Sequence, residues 1–345
     1  MHMADALISP AVGGIMWGAS ASLIGYSCKK LKDNLDDRRI PLMGVLGAFV
    51  FAAQMINFTI PGTGSSGHLG GGMILAILLG PHAAFLTLAS VLTVQALFFA
   101  DGGLLALGCN IFNLGFFACF IAYPLIFRKM CPANSTVNRL YAASIVSAVV
   151  GLQLGAFSVV LETLFSQISA LGISSFLLLM QPIHLAIGLV EGAATAAVVQ
   201  FVRQARPEIL QPAAHTALPA ALPLRNVIAG LLFAALLAGA ILSWFASTHP
   251  DGLEWAMERA AGTAELPTPT GRIQTFLAEL QQRTALLPDY SFTGTVDSAQ
   301  EETPSWPAPD AGTSFSGIIG GSLTLIFVVV FAYALRFGCR TQQRS

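Results

Sequence analysis

Apolar runs dominate the chain, and polar residues collect in short clusters between them. Continuous hydrophobic spans are read at 11–28, 41–57, 69–80, 81–100, 104–127, 139–164, 181–202, 225–247 and 316–336. Most approach the roughly 20 residues that a helix needs to cross a hydrocarbon layer about 30 Å thick. In lipid each run must satisfy its own backbone N–H and C=O groups, so helices are predicted throughout. The third run is short, about 18 Å at about 1.5 Å per residue. The apolar stretch 165–180 reads as an interfacial or re-entrant piece.

Charge placement then sets the threading. Lys29, Lys30, Lys32, Arg38 and Arg39 follow the first span; Arg128, Lys129 and Arg139 follow the fifth. Arg203, Arg206 and Arg225 follow the seventh, and Arg336, Arg340 and Arg344 the ninth. Nine crossings put all of these on one side, which the positive-inside rule makes the cytoplasm. Fusing spans three and four would move the later ones outside. The expectation is an all-α polytopic membrane protein with nine spans, N-terminus out and C-terminus in. Residues 1–205 form a seven-helix unit, 206–224 a cytoplasmic linker broken by prolines, and 225–345 a two-span hairpin. That hairpin carries a polar, proline-rich external loop, 248–315.

Composition agrees. Of 345 residues, 54% are hydrophobic and 10% charged, where a soluble domain has about 25% charged. A net charge of −1 gives no footing for nucleic acid. The five cysteines are an odd number without CxxC or zinc-type spacing, so no disulfide framework is expected. The small residues "GASASL" (18–23) resemble a cleavage site, but no basic segment precedes them, and the N-terminus is read as retained.

The candidate chemistry lies at the outer face. The chain opens "MHMADALISP". A free α-amine, the amide nitrogen of residue 2 and the His2 imidazole can close a five- and a six-membered chelate ring on one ion. Tetragonal nitrogen coordination of this kind suits Ni(II) or Cu(II). A fourth nitrogen stands in "NFTIPGTGSSGHLGGG" (57–72), an external loop holding His68, with Pro61, Gly62, Gly64 and Gly67 shaping a tight turn. Asn57, Ser66 and Gly67 are candidates for ordering it. On spacing alone His68 reads more readily as an interfacial histidine. His184, Glu191 and Glu162 are ionisable residues inside spans, read mainly as helix-to-helix contacts. Asp101 is read as the cap of the fifth helix, His82 as lying in a cytoplasmic turn away from the site, and His215 in the linker and His249 in the external loop as solvated. No GxxxxGK[ST] phosphate loop occurs, so any energy for movement must come from elsewhere.

"MHMADALISP", "GTGSSGHLGGGMILAILLGPHAAFLTLASVLTVQALFFADGGLLALGCNIFNLG" and the seven-span layout resemble the CbiM/NikM family over residues 1–205. "HPDGLEWAMERAAG" (249–262), "PDY" (288–290) and the final span resemble the small companion subunit, CbiN/NikN, fused at the C-terminus. The family comprises the substrate-binding membrane components of energy-coupling-factor transporters for cobalt and nickel. The resemblance implies that Met1 and His2, through amine, amide and imidazole, hold the transported Ni²⁺ or Co²⁺ together with His68. No cofactor or catalytic residue is implied. The expected partners are a transmembrane coupling (T) subunit and cytoplasmic ATP-binding subunits, in a bacterial or archaeal cell membrane. Planar nitrogens lean toward nickel, whereas cobalt relatives share the same residues. Two other readings are a metal sensor or storage protein without transport, and an intramembrane hydrolase built on His184, Glu191 and Glu162. The latter lacks HExxH spacing.

Overall fold

The computed structural model describes residues 2–32, 39–132, 134–168, 171–210, 223–262, 271–292 and 306–342. In chain order these form α1 (Pro10–Lys32), α2 (Arg39–Gln54), β1 (Phe58–Ile60), β2 (Ser65–Gly67), α3 (Gly72–Leu79), α4 (Pro81–Phe98) and α5 (Leu107–Met130). There follow α6 (Val137–Ser166), α7 (Ile173–Ala205), α8 (Leu224–Ala240), α9 (Gly252–Ala261), α10 (Arg272–Thr284) and α11 (Ala311–Gln342). Among the described residues, α4, α5, α6, α7 and Ala311–Arg336 of α11 are long and apolar enough to cross a membrane; α2 and α8 are shorter apolar helices.

Two features depart from the hydropathy reading. The third run yields only eight helical residues, about 12 Å at about 1.5 Å per residue, too short to cross by itself. It ends at Gly80, whose φ of 81° only a residue without Cβ adopts easily. Pro81 then opens α4, and the two helices pack against each other. The stretch 165–180 is divided between two helices: α6 runs through Ser166, and 173–180 are the first turns of α7. Residues 211–222 of the linker, and 263–270 and 293–305 of the outer loop, lie outside the described residues.

Small residues set the helix contacts, as expected where lipid offers helices no hydrophobic reason to associate. Cβ atoms built on Gly188 and Gly192 of α7 would lie 2.8 and 2.3 Å from the Cα atoms of Val149 and Ile145 on α6. On the other side, α8 and α11 flank α2, and α8 meets α11 where Gly239 faces Gly317. Large apolar side chains such as Ile15, Phe165, Leu178 and Phe233 point outward, suited to a lipid surround.

The glycine-rich loop is a β-hairpin. β1 and β2 pair antiparallel with Phe58 opposite Gly67 and Ile60 opposite Ser65. Gly62 and Gly64 turn the chain with φ of 78° and 76°. Ser65, Ser66 and Gly67 are all buried, whereas Thr59, Pro61, Gly62 and Gly64 stay exposed, so the second strand lies inward and the turn outward.

Candidate metal centre

The N-terminal segment is pinned residue by residue. Met3 is fully buried, and its N–H donates to Asn110 Oδ1 at 2.8 Å. Its carbonyl accepts from Asn110 Nδ2 at 3.2 Å and from the Gly103 amide at 2.9 Å. Asp5 Oδ1 accepts from the Ala106 amide at 2.9 Å, just ahead of α5. A buried apolar anchor flanked by these bonds leaves little freedom for the residue before it. His2 is thereby held over the start of α5.

The second imidazole comes from the hairpin. His68 follows β2 directly, and its ring stacks on that of His2 with centroids 5.0 Å apart and planes 9° from parallel. His68 Nδ1 lies 3.1 Å from the Leu69 carbonyl. A carbonyl accepts only, so Nδ1 carries the proton and Nε2 keeps its lone pair. Below the ring, Glu191 Oε2 accepts from the Gly70 amide at 2.7 Å and the same carboxylate takes the Gly71 and Met73 amides. These are the otherwise unsatisfied donors at the start of α3. Gln54 Nε2 donates to the Gly70 carbonyl at 2.9 Å, closing the support.

The outer segment after α8 covers both. Asp251 caps α9, accepting from the Leu253 and Glu254 amides at 2.8 Å each, while Glu254 Oε2 takes the Asp251 amide at 3.1 Å. This reciprocal box fixes the Asp251 carboxylate 4.0 Å from His68 Nε2. The turn is stitched to the hairpin: the Ser66 amide donates to the Pro250 carbonyl and its hydroxyl to the His249 carbonyl, both at 2.8 Å. Trp255 Nε1 donates to the Thr63 carbonyl at 3.1 Å. Gly252 sits so close to α7 that a Cβ would come within 2.6 Å of Ile183 Cγ2 and 3.4 Å of His184 Cε1. Further along, the Tyr290 hydroxyl donates to Asp101 Oδ2 at 2.5 Å, and Asp101 Oδ1 is 3.3 Å from His2 Nδ1.

Burial and the positive charge of the chain terminus pull both imidazoles down to about 3. They are therefore neutral, the form that ligates a metal. Burial pushes Asp101 above the usual carboxylate range. Burial would raise Asp251 as well, but the charge of the chain terminus and the hydrogen bond from the Glu254 amide hold it well below that range. The site thus pairs neutral nitrogens with an ionised carboxylate.

The residues expected from sequence are placed unequally. His2 and His68 are brought together; Met1 lies outside the described residues. Ser66 ties the hairpin to the outer turn, and Gly67 packs on Ile187, where a Cβ would come within 2.4 Å. Asn57 stands at the base of the hairpin, its carbonyl accepting from the Ser247 amide at 2.7 Å. Asp101 does not cap the fifth helix: Asp5 meets the amide there, and Asp101 serves Tyr290 and His2. His249 is part of the outer clamp through its carbonyl. Glu162 joins helices, accepting from Asn113 at 2.8 Å. Asp251, Tyr290 and Asn110 were not expected at the site; the first two fall in the PDGLE and PDY strings, and Asn110 carried no signal. Among the described residues no group of three or more His, Cys, Asp and Glu is disposed to hold a metal ion by side chains alone.

Residues 2–209 match the CbiM family, described as a cobalt uptake substrate-specific transmembrane region, and residues 225–337 match the PDGLE domain. A putative fused nickel transport protein NikMN of Archaeoglobus fulgidus is 33% identical over 344 residues, 99% of this chain and 100% of its own length. A putative metal transport protein of Haloquadratum walsbyi is 38% identical over 212 residues, 61% of this chain and 93% of the relative. The crystal structure of a truncated transition metal transporter superposes with a TM-score of 0.52 at 31% identity, covering 59% of this chain and 98% of that one.

Proposed function

The chain belongs to the CbiM family of cobalt uptake substrate-specific transmembrane regions, and on that premise we propose that it captures Ni²⁺ or Co²⁺ at the outer face for import. It is a multi-pass membrane protein of a prokaryotic metal-transport family, a transport component and not an enzyme. The observation that carries the reading is the buried, stacked pair of neutral imidazoles, His2 and His68, from segments far apart in sequence.

Four nitrogens hold the ion: the Met1 α-amine, the His2 amide, His2 Nδ1 and His68 Nε2. Two come from the backbone, and deprotonating an amide favours ions that accept planar nitrogen fields. His2 Nδ1 exchanges its contact with Asp101 for the metal. The hairpin, held by Glu191 and by the outer turn, keeps His68 from drifting. By the family resemblance, a transmembrane coupling subunit and ATP-binding subunits supply the energy for inward release, in keeping with a sequence that holds no phosphate loop. The basic clusters after α1, α5 and α7 and at the end of α11 support a cytoplasmic side for those segments, with the N-terminus outside.

Titration calorimetry of the purified protein with Ni²⁺ and Co²⁺ tests the site. His2→Ala, His68→Ala and a single glycine inserted before Met1 should each weaken binding by more than about 100-fold, beyond what loss of a supporting contact costs. Unchanged affinity in the three variants would remove the proposed ligands.

A further inference from the structure

At the end of the bundle where the basic clusters gather, a cavity of about 260 Å³ opens between α3, α5, α6 and α7. Arg128 and Arg203 line it together with Tyr123, and no Asp or Glu stands among the lining residues. The charges of Arg128 and Arg39 both reach the Tyr123 hydroxyl, so a third guanidinium, from the start of α2, approaches the same space. Among the described residues none of the three pairs with a carboxylate. Arg203 Nη1 donates to the Ser135 carbonyl at 2.9 Å, which holds that side chain across to the segment joining α5 and α6. A guanidinium carries further donors, so this one bond leaves others for an anion. The wall also has the layering of an amphiphile. Toward the bilayer centre Phe127 precedes Arg128 on α5, Val199 lies one turn before Arg203 on α7, and Leu140 follows Arg139 on α6; all three are buried in the cavity wall. Leu125, three residues nearer the centre than Arg128, is 52% exposed.

We propose that this cavity docks the headgroup of an anionic phospholipid of the cytoplasmic leaflet, its phosphate on Arg128 and Arg203 and its acyl chains running along Leu125. The proposal goes beyond metal capture: it uses the sidedness of the basic clusters and not the nitrogens at the opposite face. Guanidinium forks match phosphate oxygens in pairs, and basic pockets between transmembrane helices on this side of a membrane suit phosphate headgroups. Three cations around one space without a counter-charge repel one another, and a bound anion removes that repulsion. A free anion would satisfy the guanidiniums alone, whereas a lipid also covers the apolar wall beneath them. Arg128 lies near the end of α5 and Arg203 in the last turn of α7, so one phosphate bonded to both ties the inner ends of these helices together.

Arg128→Gln with Arg203→Gln is the informative variant. Its control is Lys29→Gln with Lys129→Gln, which removes two charges from the same end of the bundle at exposed positions outside the cavity. The full chain in detergent is titrated with phosphatidylglycerol and with phosphatidylcholine, and native mass spectrometry counts the lipids retained. Wild type and K29Q/K129Q should hold one phosphatidylglycerol roughly tenfold tighter than phosphatidylcholine, and R128Q/R203Q should lose that preference. Ni²⁺ affinity, read by calorimetry, should keep its wild-type value in R128Q/R203Q, which shows the variant to be folded. Absence of a preference in wild type overturns the proposal without any variant. Equal loss of preference in K29Q/K129Q reduces the effect to diffuse charge and overturns it too. Displacement of the lipid by inorganic phosphate makes the site one for a soluble anion instead. Full preference in R128Q/R203Q, with loss of co-purifying coupling subunit, gives the cavity to a protein partner and equally refutes the lipid.

Discussion

Gly252→Ala asks whether the outer turn supports the metal centre or merely rests on it. The new Cβ would lie 2.6 Å from Ile183 Cγ2, where ordinary contact begins near 3.4 Å. The turn must therefore retreat from α7 by about 0.8 Å, or α7 must yield. Overpacking of this kind costs about 1–3 kcal/mol. Retreat also stretches the Ser66 bonds to His249 and Pro250 and draws Asp251 away from His68. If binding needs the docked turn, Kd rises by the factor through which docking is disfavoured. At about 1.4 kcal/mol per tenfold, that is about 5- to 100-fold for Ni²⁺. The assay is calorimetric titration beside thermal unfolding, with Gly14→Ala as control, since a Cβ there meets nothing within 4 Å. A Gly252→Ala protein of lowered unfolding midpoint but wild-type affinity refutes the coupling of turn to site.

Three further outcomes are expected. With His2 and His68 drawn from 6.5 down to about 3, the unfolded chain binds more protons between those values. The metal-free protein should lose stability as pH falls below about 6.5; His68→Gln should flatten that slope in thermal melts across pH 4–7, and an identical slope contradicts the burial argument. Tyr290→Phe removes the donor to Asp101 and should cost about 1–3 kcal/mol of stability, seen as a lowered unfolding midpoint. Glu191→Ala leaves amides at the head of α3 unpaired, costing about 1–3 kcal/mol and weakening Ni²⁺ binding through a loosened hairpin. Glu191→Gln, still an acceptor, should keep more of both.

The sequence carried the helices well because lipid permits few alternatives, and residues 81–98, 107–130 and 137–166 follow the apolar runs closely. It overstated the third run, since hydropathy cannot distinguish a full crossing from eight buried residues ended by Gly80. The imidazoles were visible as residue types, and the hairpin was visible only as a concentration of glycine. What joins them was not visible. Asn110 holds Met3 across 107 residues, and Ser66 meets His249 across 183. No periodicity records such pairings. Asp101 misled for a related reason: an acid ahead of a helix looks like a cap, and only the fold shows Asp5 taking that amide.

The turn that covers His68 belongs to the same polypeptide as the bundle beneath it. A short tether gives two surfaces an effective concentration on the order of 1 mM. A docking contact with an intrinsic Kd of about 100 μM would then stand closed over open by about ten to one. Severing the chain between residues 210 and 223 would hand that ratio to the abundance of two separate products. Joining them makes occupancy of the cover independent of how much protein the cell makes.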